Sequence, residues 1–173
     1  MRINLRVALI SLVSLVTLGA AWPALVDSGL IGPYPAGGNQ KSVTLVVDYG
    51  VDSKRRVQYF DLMNLSNDVT GWDLFKKAQL TVQGTDQFST GFVCRVAGWP
   101  KPKNQDCSDT PTYSEGHWAY YVTNSSLGSG WLLSGQGAAT HKPECAGYEG
   151  WSWIAPGEDS HPPRFETKAR ACQ

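Results

Sequence analysis

Charge is the first thing this chain lacks. Charged residues are 17% of its 173 residues, against about 25% in ordinary globular proteins. Its 15 Lys and Arg are cancelled by 15 Asp and Glu. No basic stripe is left for phosphates, which excludes nucleic acid as a partner. Hydrophobic residues are 42%, so the low charge does not signal disorder. Histidine and cysteine are scarce, at three and four. No C-x-x-C pair occurs, and His117, His141 and His161 are not at ligand spacing, so the sequence offers no zinc site. No G-x-S-x-G is present, and the glycine-rich stretch 128–137 has no following Lys-Ser/Thr or helix. A nucleotide loop is thereby excluded, and hairpin turns explain these glycines more simply. Glu115 with His117, and His141 with Glu144, are the nearest approach to acid–base pairs, and both read as loop residues in water. The expectation is a protein without a cofactor and without catalysis.

Against these absences stands an N-terminus rich in signal. Arg2 and Arg6 precede an uncharged run from Val7 to Ala21. Gly19 and Ala21 supply small residues at −3 and −1 of a cut after Ala21, so residues 1–21 read as a signal peptide. The uncharged stretch extends to Val26, and residues 7–26 are long enough for a membrane anchor instead. Either way the rest of the chain is expected outside the cytoplasm, secreted or tethered. Residues 22–41, with Pro33, Pro35, Gly37 and Gly38, read as a linker to a domain over 42–173.

Cys94, Cys107, Cys145 and Cys172 all lie in the exported part. An even number in an oxidising compartment points to two disulfides. Three connectivities exist; the two sequence-local pairs, Cys94–Cys107 and Cys145–Cys172, are favoured. The second would tie down a Pro-containing tail that has little other reason for order.

Strands are expected at Ser42–Tyr49, Arg55–Leu62, Phe92–Ala97, His117–Thr123, Gly130–Leu133 and Gly150–Ile154, the first two as an antiparallel hairpin. The stretch Gly71–Leu80 carries the one helical stripe, and Thr70 with Asp73 forms a capping-box pattern with Asp in the Glu position. The fold class is α+β: a small, mostly antiparallel sheet with one short packed helix.

Aromatic residues are abundant, with seven Trp and seven Tyr. Trp99, Trp118, Tyr120, Tyr121, Trp131 and Trp151 form a candidate stacking platform for a small ligand. The competing role is core, since Trp118 and Tyr120 share one strand face, as do Trp151 and Trp153. Trp99 and Trp131, beside Gly and Pro, are the best surface candidates.

The order of these segments resembles the transcobalamin C-terminal-like, or DUF4430-like, extracellular domains. The likeness runs from the first strand V-T-L-V-V-D-Y-G, through T-G-W-D-L-F-K-K-A, F-V-C-R-V-A-G-W-P and H-W-A-Y-Y-V-T-N, to G-Y-E-G-W-S-W. A subset of exported bacterial members looks closer still, through Trp118–Tyr120, Gly130–Trp131, Gly135–Ala138, Gly147–Trp151 and Pro162–Cys172. The resemblance implies one helix packed on a sheet. In the vitamin carriers such a domain covers one face of cobalamin and an α/α barrel covers the other, a barrel for which these 173 residues have no room. The implied function is an exported binding module for a corrinoid-like or other small ligand, serving a membrane transport partner. The rival expectations are an envelope-tethered structural or protein-interaction domain and a secreted hydrolase.

Overall fold

The computed structural model describes residues 40–123 and 130–172. The signal or anchor segment and the linker up to residue 39 lie outside the described residues, as does 124–129.

Seven strands and one α-helix are present among the described residues. β1 (Gln40–Asp48) starts two residues earlier than expected and pairs antiparallel with β2 (Gln58–Ser66). The turn between them contains a 3-10 segment, Val51–Ser53, entered through Gly50 at φ 74°. This glycine is needed twice, because its backbone also lies against Trp153, 3.1 Å from where a Cβ would stand. β2 carries one extra residue near Asn64, whose φ is 56°, and runs further than the expected Arg55–Leu62.

β3 (Val82–Gly84) and β4 (Val93–Val96) form a separate two-stranded ribbon. β5 (His117–Val122), β6 (Leu132–Leu133) and β7 (Gly147–Ile154) complete the main sheet, in the order β2-β1-β7-β5-β6. Three of its four pairings are antiparallel, and β1–β7 is parallel. β7 begins three residues before the expected Gly150 and is buried along its whole length. A central strand covered on both faces needs small residues where a neighbour comes close, and Gly147 and Gly150 meet that need.

One face of the sheet is covered by α1 (Asp73–Lys77), which is shorter than the expected Gly71–Leu80. Gln79 takes φ 58° and ends the helix, and Leu80 N–H bonds back to Phe75 O. Thr70 and Asp73 make the reciprocal bonds of the capping-box pattern: Thr70 N–H to Asp73 Oδ2 at 3.0 Å and Asp73 N–H to Thr70 Oγ1 at 3.3 Å. Leu74 and Phe75 are fully buried against Val43, Leu45, Val47, Trp118, Tyr120 and Trp151.

The other face is covered by the C-terminal segment 156–172, which has no regular structure and crosses the sheet as a strap. Both disulfides pair as favoured, Cys94–Cys107 and Cys145–Cys172, and no described cysteine is free. They are the mark of an oxidising, extracytoplasmic environment. Among the described residues no helix is long and apolar enough to cross a membrane.

Candidate functional sites

The strand alternation separates the aromatic residues. Trp118, Tyr120 and Trp151 lie together under α1. Tyr120 stacks on Trp151, with centroids 4.6 Å apart and planes at 21°. Trp118 packs edge-on to Tyr49 and Trp153, both at 5.7 Å. All three are buried, so a planar ligand would have to displace α1 to reach them. Tyr121 is buried on the opposite face with Ala119 and Ile154. Trp131 is half-buried against that group, its Nε1 donating to Phe165 O at 3.0 Å. A Cβ on Gly150 would stand 2.6 Å from the Trp131 ring and 2.8 Å from Pro163. Trp131 therefore clamps the strap. Trp99 follows β4, packs against the core and receives Arg55, whose guanidinium lies 5.9 Å from its ring. The six residues are brought together as three, on the helix face, and not as one exposed platform.

A polar cluster sits among these aromatics. Glu149 faces the helix side of β7 and is 1% exposed. One of its oxygens accepts from the Tyr120 hydroxyl, and the other is 3.2 Å from His141 Nε2. Lys41, also buried, donates to Pro143 O at 2.6 Å and Asn67 O at 3.2 Å. Gly71 lies flat against the Tyr120 hydroxyl, where any side chain would collide. Its N–H bonds to His141 O, which docks the 137–143 loop onto the start of α1. Burial pushes the Glu149 carboxyl above its ordinary value. The hydrogen bond to Glu149 raises His141, while burial lowers Lys41. His141, with 21% of its side chain exposed, is the member through which a proton reaches solvent. Among the described residues no hydroxyl or thiol is hydrogen-bonded to His141.

His141 is thus hydrogen-bonded to Glu149, and the charge of Glu144, its expected neighbour, also acts on it. Glu149 could have been found by extending the alternation Trp153–Trp151 back two residues, to an acid on an inward-facing position. Of the other histidines, His117 Nε2 is 3.3 Å from Ser160 Oγ and His161 Nδ1 is 3.3 Å from Ser152 Oγ. Both fasten the strap, and Ser152 is fully buried. No group of three or more His, Cys, Asp or Glu able to hold a metal occurs among the described residues.

The strap face also carries openings. A hollow of about 430 Å³ lies where the strap's end meets β1 and β2. Met63, Ala146 and Ala171 give it apolar walls, Val43 and Leu62 border it with their side chains packed in the helix-face core, and Ser42, Thr44, Asp61 and Arg170 are its polar groups. Arg170 lies flat on Tyr148, 4.3 Å from the ring centroid. Its Nη2 donates to Thr44 Oγ1 at 2.7 Å and its Nη1 to Asp61 Oδ1 at 3.3 Å. Thr44 in turn donates to the same Asp61 oxygen. Cys145 and Cys172, each next to a lining alanine, bond the two walls together. A second, shallower hollow, of about 500 Å³, is lined by Val51, Glu158, Asp159, His161, Pro162 and Arg164. Arg164 is committed there to Asp48, through Nε, Nη2 and its backbone N–H. No family model matches the chain, and no curated protein or solved structure matches it.

Proposed function

We propose that the chain is an exported, non-catalytic binding module that holds a small ligand in the hollow beside Arg170 and presents it to a membrane transport partner. The hollow carries this reading. Its volume falls within the roughly 300–1,000 Å³ of small-molecule sites, and it combines apolar walls with polar groups held in fixed positions. Two disulfides and the N-terminal segment support export, by a signal cleaved after Ala21 or retained as a tether. The resemblance to transcobalamin C-terminal-like domains supplies the corrinoid option. A corrinoid would overhang a hollow of this size, so the chain would cover one side of it and leave the other to a partner.

The test is co-elution of the oxidised chain with cobalamin, its precursors and haem on size exclusion, read by visible absorbance, followed by calorimetry with colourless ligands. Ala171→Trp, which sets an indole on the strap wall of the hollow, is expected to abolish whatever binding is found. Binding unchanged in that variant would remove the hollow from the proposal.

A second reading, a protein-interaction domain of the envelope, is favoured by one observation. β2 is a sheet edge nine residues long with a single charge, and it exposes Tyr59 (60%) and Met63 (53%). Mass spectrometry of the exported protein's N-terminus bears on it: an intact Met1 supports a tether, and a start at Trp22 removes it.

A further inference from the structure

We propose that the ligand of this hollow is an α-amino acid with an apolar side chain. The inference rests on the reading that the hollow is the ligand site. Its polar groups form a charge pair, Arg170 and Asp61, in contact at 3.3 Å. Among the described residues Asp61 keeps one carboxylate oxygen without a partner, since Thr44 and Arg170 both use Oδ1. Among the described residues the Arg170 Nε–H and one Nη1–H have no partner, and the guanidinium is held in plane by the Tyr148 ring beneath. A simple anion would gain Arg170 but meet the Asp61 charge at the same distance. A simple cation would meet Arg170. A molecule with both charges satisfies both groups, and the spacing selects which one. The two protein charges are adjacent, so the ligand's ammonium and carboxylate must also be adjacent. That is the case on the single α-carbon of an amino acid and not at the two ends of a peptide. Arg170 offers the flat donor edge that carboxylates prefer. The third substituent of the α-carbon then meets Met63, Ala146 and Ala171, which excludes a charged side chain and favours one of the leucine or methionine kind. The site brings its own competitor, because the Asp61–Arg170 contact must open to admit the ligand. Both groups are partly solvated, with 58% and 34% of their side chains exposed, so that opening costs little.

The experiment is calorimetric titration of the full oxidised chain with L-leucine, L-methionine, L-lysine, 4-methylpentanoate (leucine without its amine) and isoamylamine (leucine without its carboxylate). Leucine and methionine are expected to saturate one site. Loss of either charge should weaken binding about tenfold or more, the usual effect of deleting one charge-assisted hydrogen bond, and lysine should not bind. Asp61→Asn and Arg170→Gln should each remove the preference for the zwitterion. The analogue series on the wild-type chain decides even if a variant loosens the strap. Equal binding of leucine and 4-methylpentanoate would overturn the amino-acid assignment. If the amino acids do not bind but another ligand does, and Ala171→Trp abolishes it, the assignment fails and the hollow stands. If nothing binds in the hollow, both fail.

Discussion

The two faces of the sheet are covered by different means. On the helix face a five-residue helix buries Leu74 and Phe75 against stacked aromatics, and the indole N–H groups of Trp118 and Trp151 are buried without a partner among the described residues. On the strap face an irregular segment is fastened by Asp48–Arg164, by Trp131 and by a disulfide at its end. Apolar packing fills space closely. Polar and covalent fastenings act at points, and between points they leave openings. Both described hollows border the strap. Binding is therefore expected on the side with the poorer cover, and stability on the other.

Truncation of a buried aromatic is the strongest way to break this division. Trp151→Ala removes the ring that touches both Tyr120 and Phe75 and is expected to cost about 3–5 kcal/mol. Urea unfolding followed by circular dichroism reads it. A loss below 1 kcal/mol would mean that the helix face is not where stability resides. Next comes the paired change Cys145→Ser with Cys172→Ser. A loop of 27 residues gives about 3–4 kcal/mol from closure entropy. The sharper readout is binding. The helix face should keep its near-ultraviolet signal while the hollow loses its ligand, because Arg170 and Ala171 stand on the freed end. Retained affinity in the reduced form would detach the site from the strap.

One pair on each face, Asp48–Arg164 and Glu149–His141, is expected to titrate in the opposite sense to the other. Burial works to raise the Asp48 carboxyl, but hydrogen bonds from Arg164 and the Gly50 N–H outweigh it and hold the group below its usual value. A depressed carboxyl contributes stability that is present above its unfolded pKa, about 3.9, and lost as pH falls through the folded value. On the helix face Glu149, raised by burial, and His141, raised by its bond to Glu149, bind their protons more tightly when folded. Their contribution is present in acid and is lost as pH rises through the folded values. Stability should peak in mild acid, decline toward pH 8 and collapse below about pH 4. Asp48→Asn should flatten the acid limb and Glu149→Gln the alkaline limb, each by about 1–3 kcal/mol in urea midpoints taken across pH. If one variant flattened both limbs, the two clusters would be coupled and the separation of the faces would be wrong.

What could be read from the sequence follows the same line. The helix face is built by local rules: alternation in H-W-A-Y-Y-V and W-S-W, a capping box at Thr70–Asp73, and a disulfide between cysteines 13 apart. These carried the strands, the helix and the mostly antiparallel sheet. Its buried acid was missed because Glu149 looks like any polar residue between glycines until its strand is extended. The strap face depends on pairs such as Asp48 with Arg164 and Thr44 with Arg170, 116 and 126 residues apart. No periodicity carries contacts of that kind. The tail therefore read as a segment needing only its disulfide, and Trp131, flanked by glycine, read as exposed. The β1–β7 parallel pairing was invisible for the same reason.

The smallest expected effect sharpens what local signals are worth. Asp73→Ala removes the two bonds its carboxylate accepts from the Thr70 N–H and hydroxyl at the start of α1 and keeps the one its backbone N–H donates, and burial opposes neither strongly, since the pair is at the surface. Hydrogen bonds from Thr70 hold the Asp73 carboxyl below its ordinary value, so any contribution is lost only in acid. Cap deletions cost about 0.5–2 kcal/mol, and the low end is expected here. A helix this short is held by Leu74 and Phe75 in the core, not by its own hydrogen bonds. Urea midpoints for Asp73→Ala and Phe75→Ala make the comparison within one helix. A ratio near one would show that the cap, and not the packing, holds α1 down. A cost several-fold greater for Phe75 would show that the most legible feature of the helix is the one that contributes least to holding it.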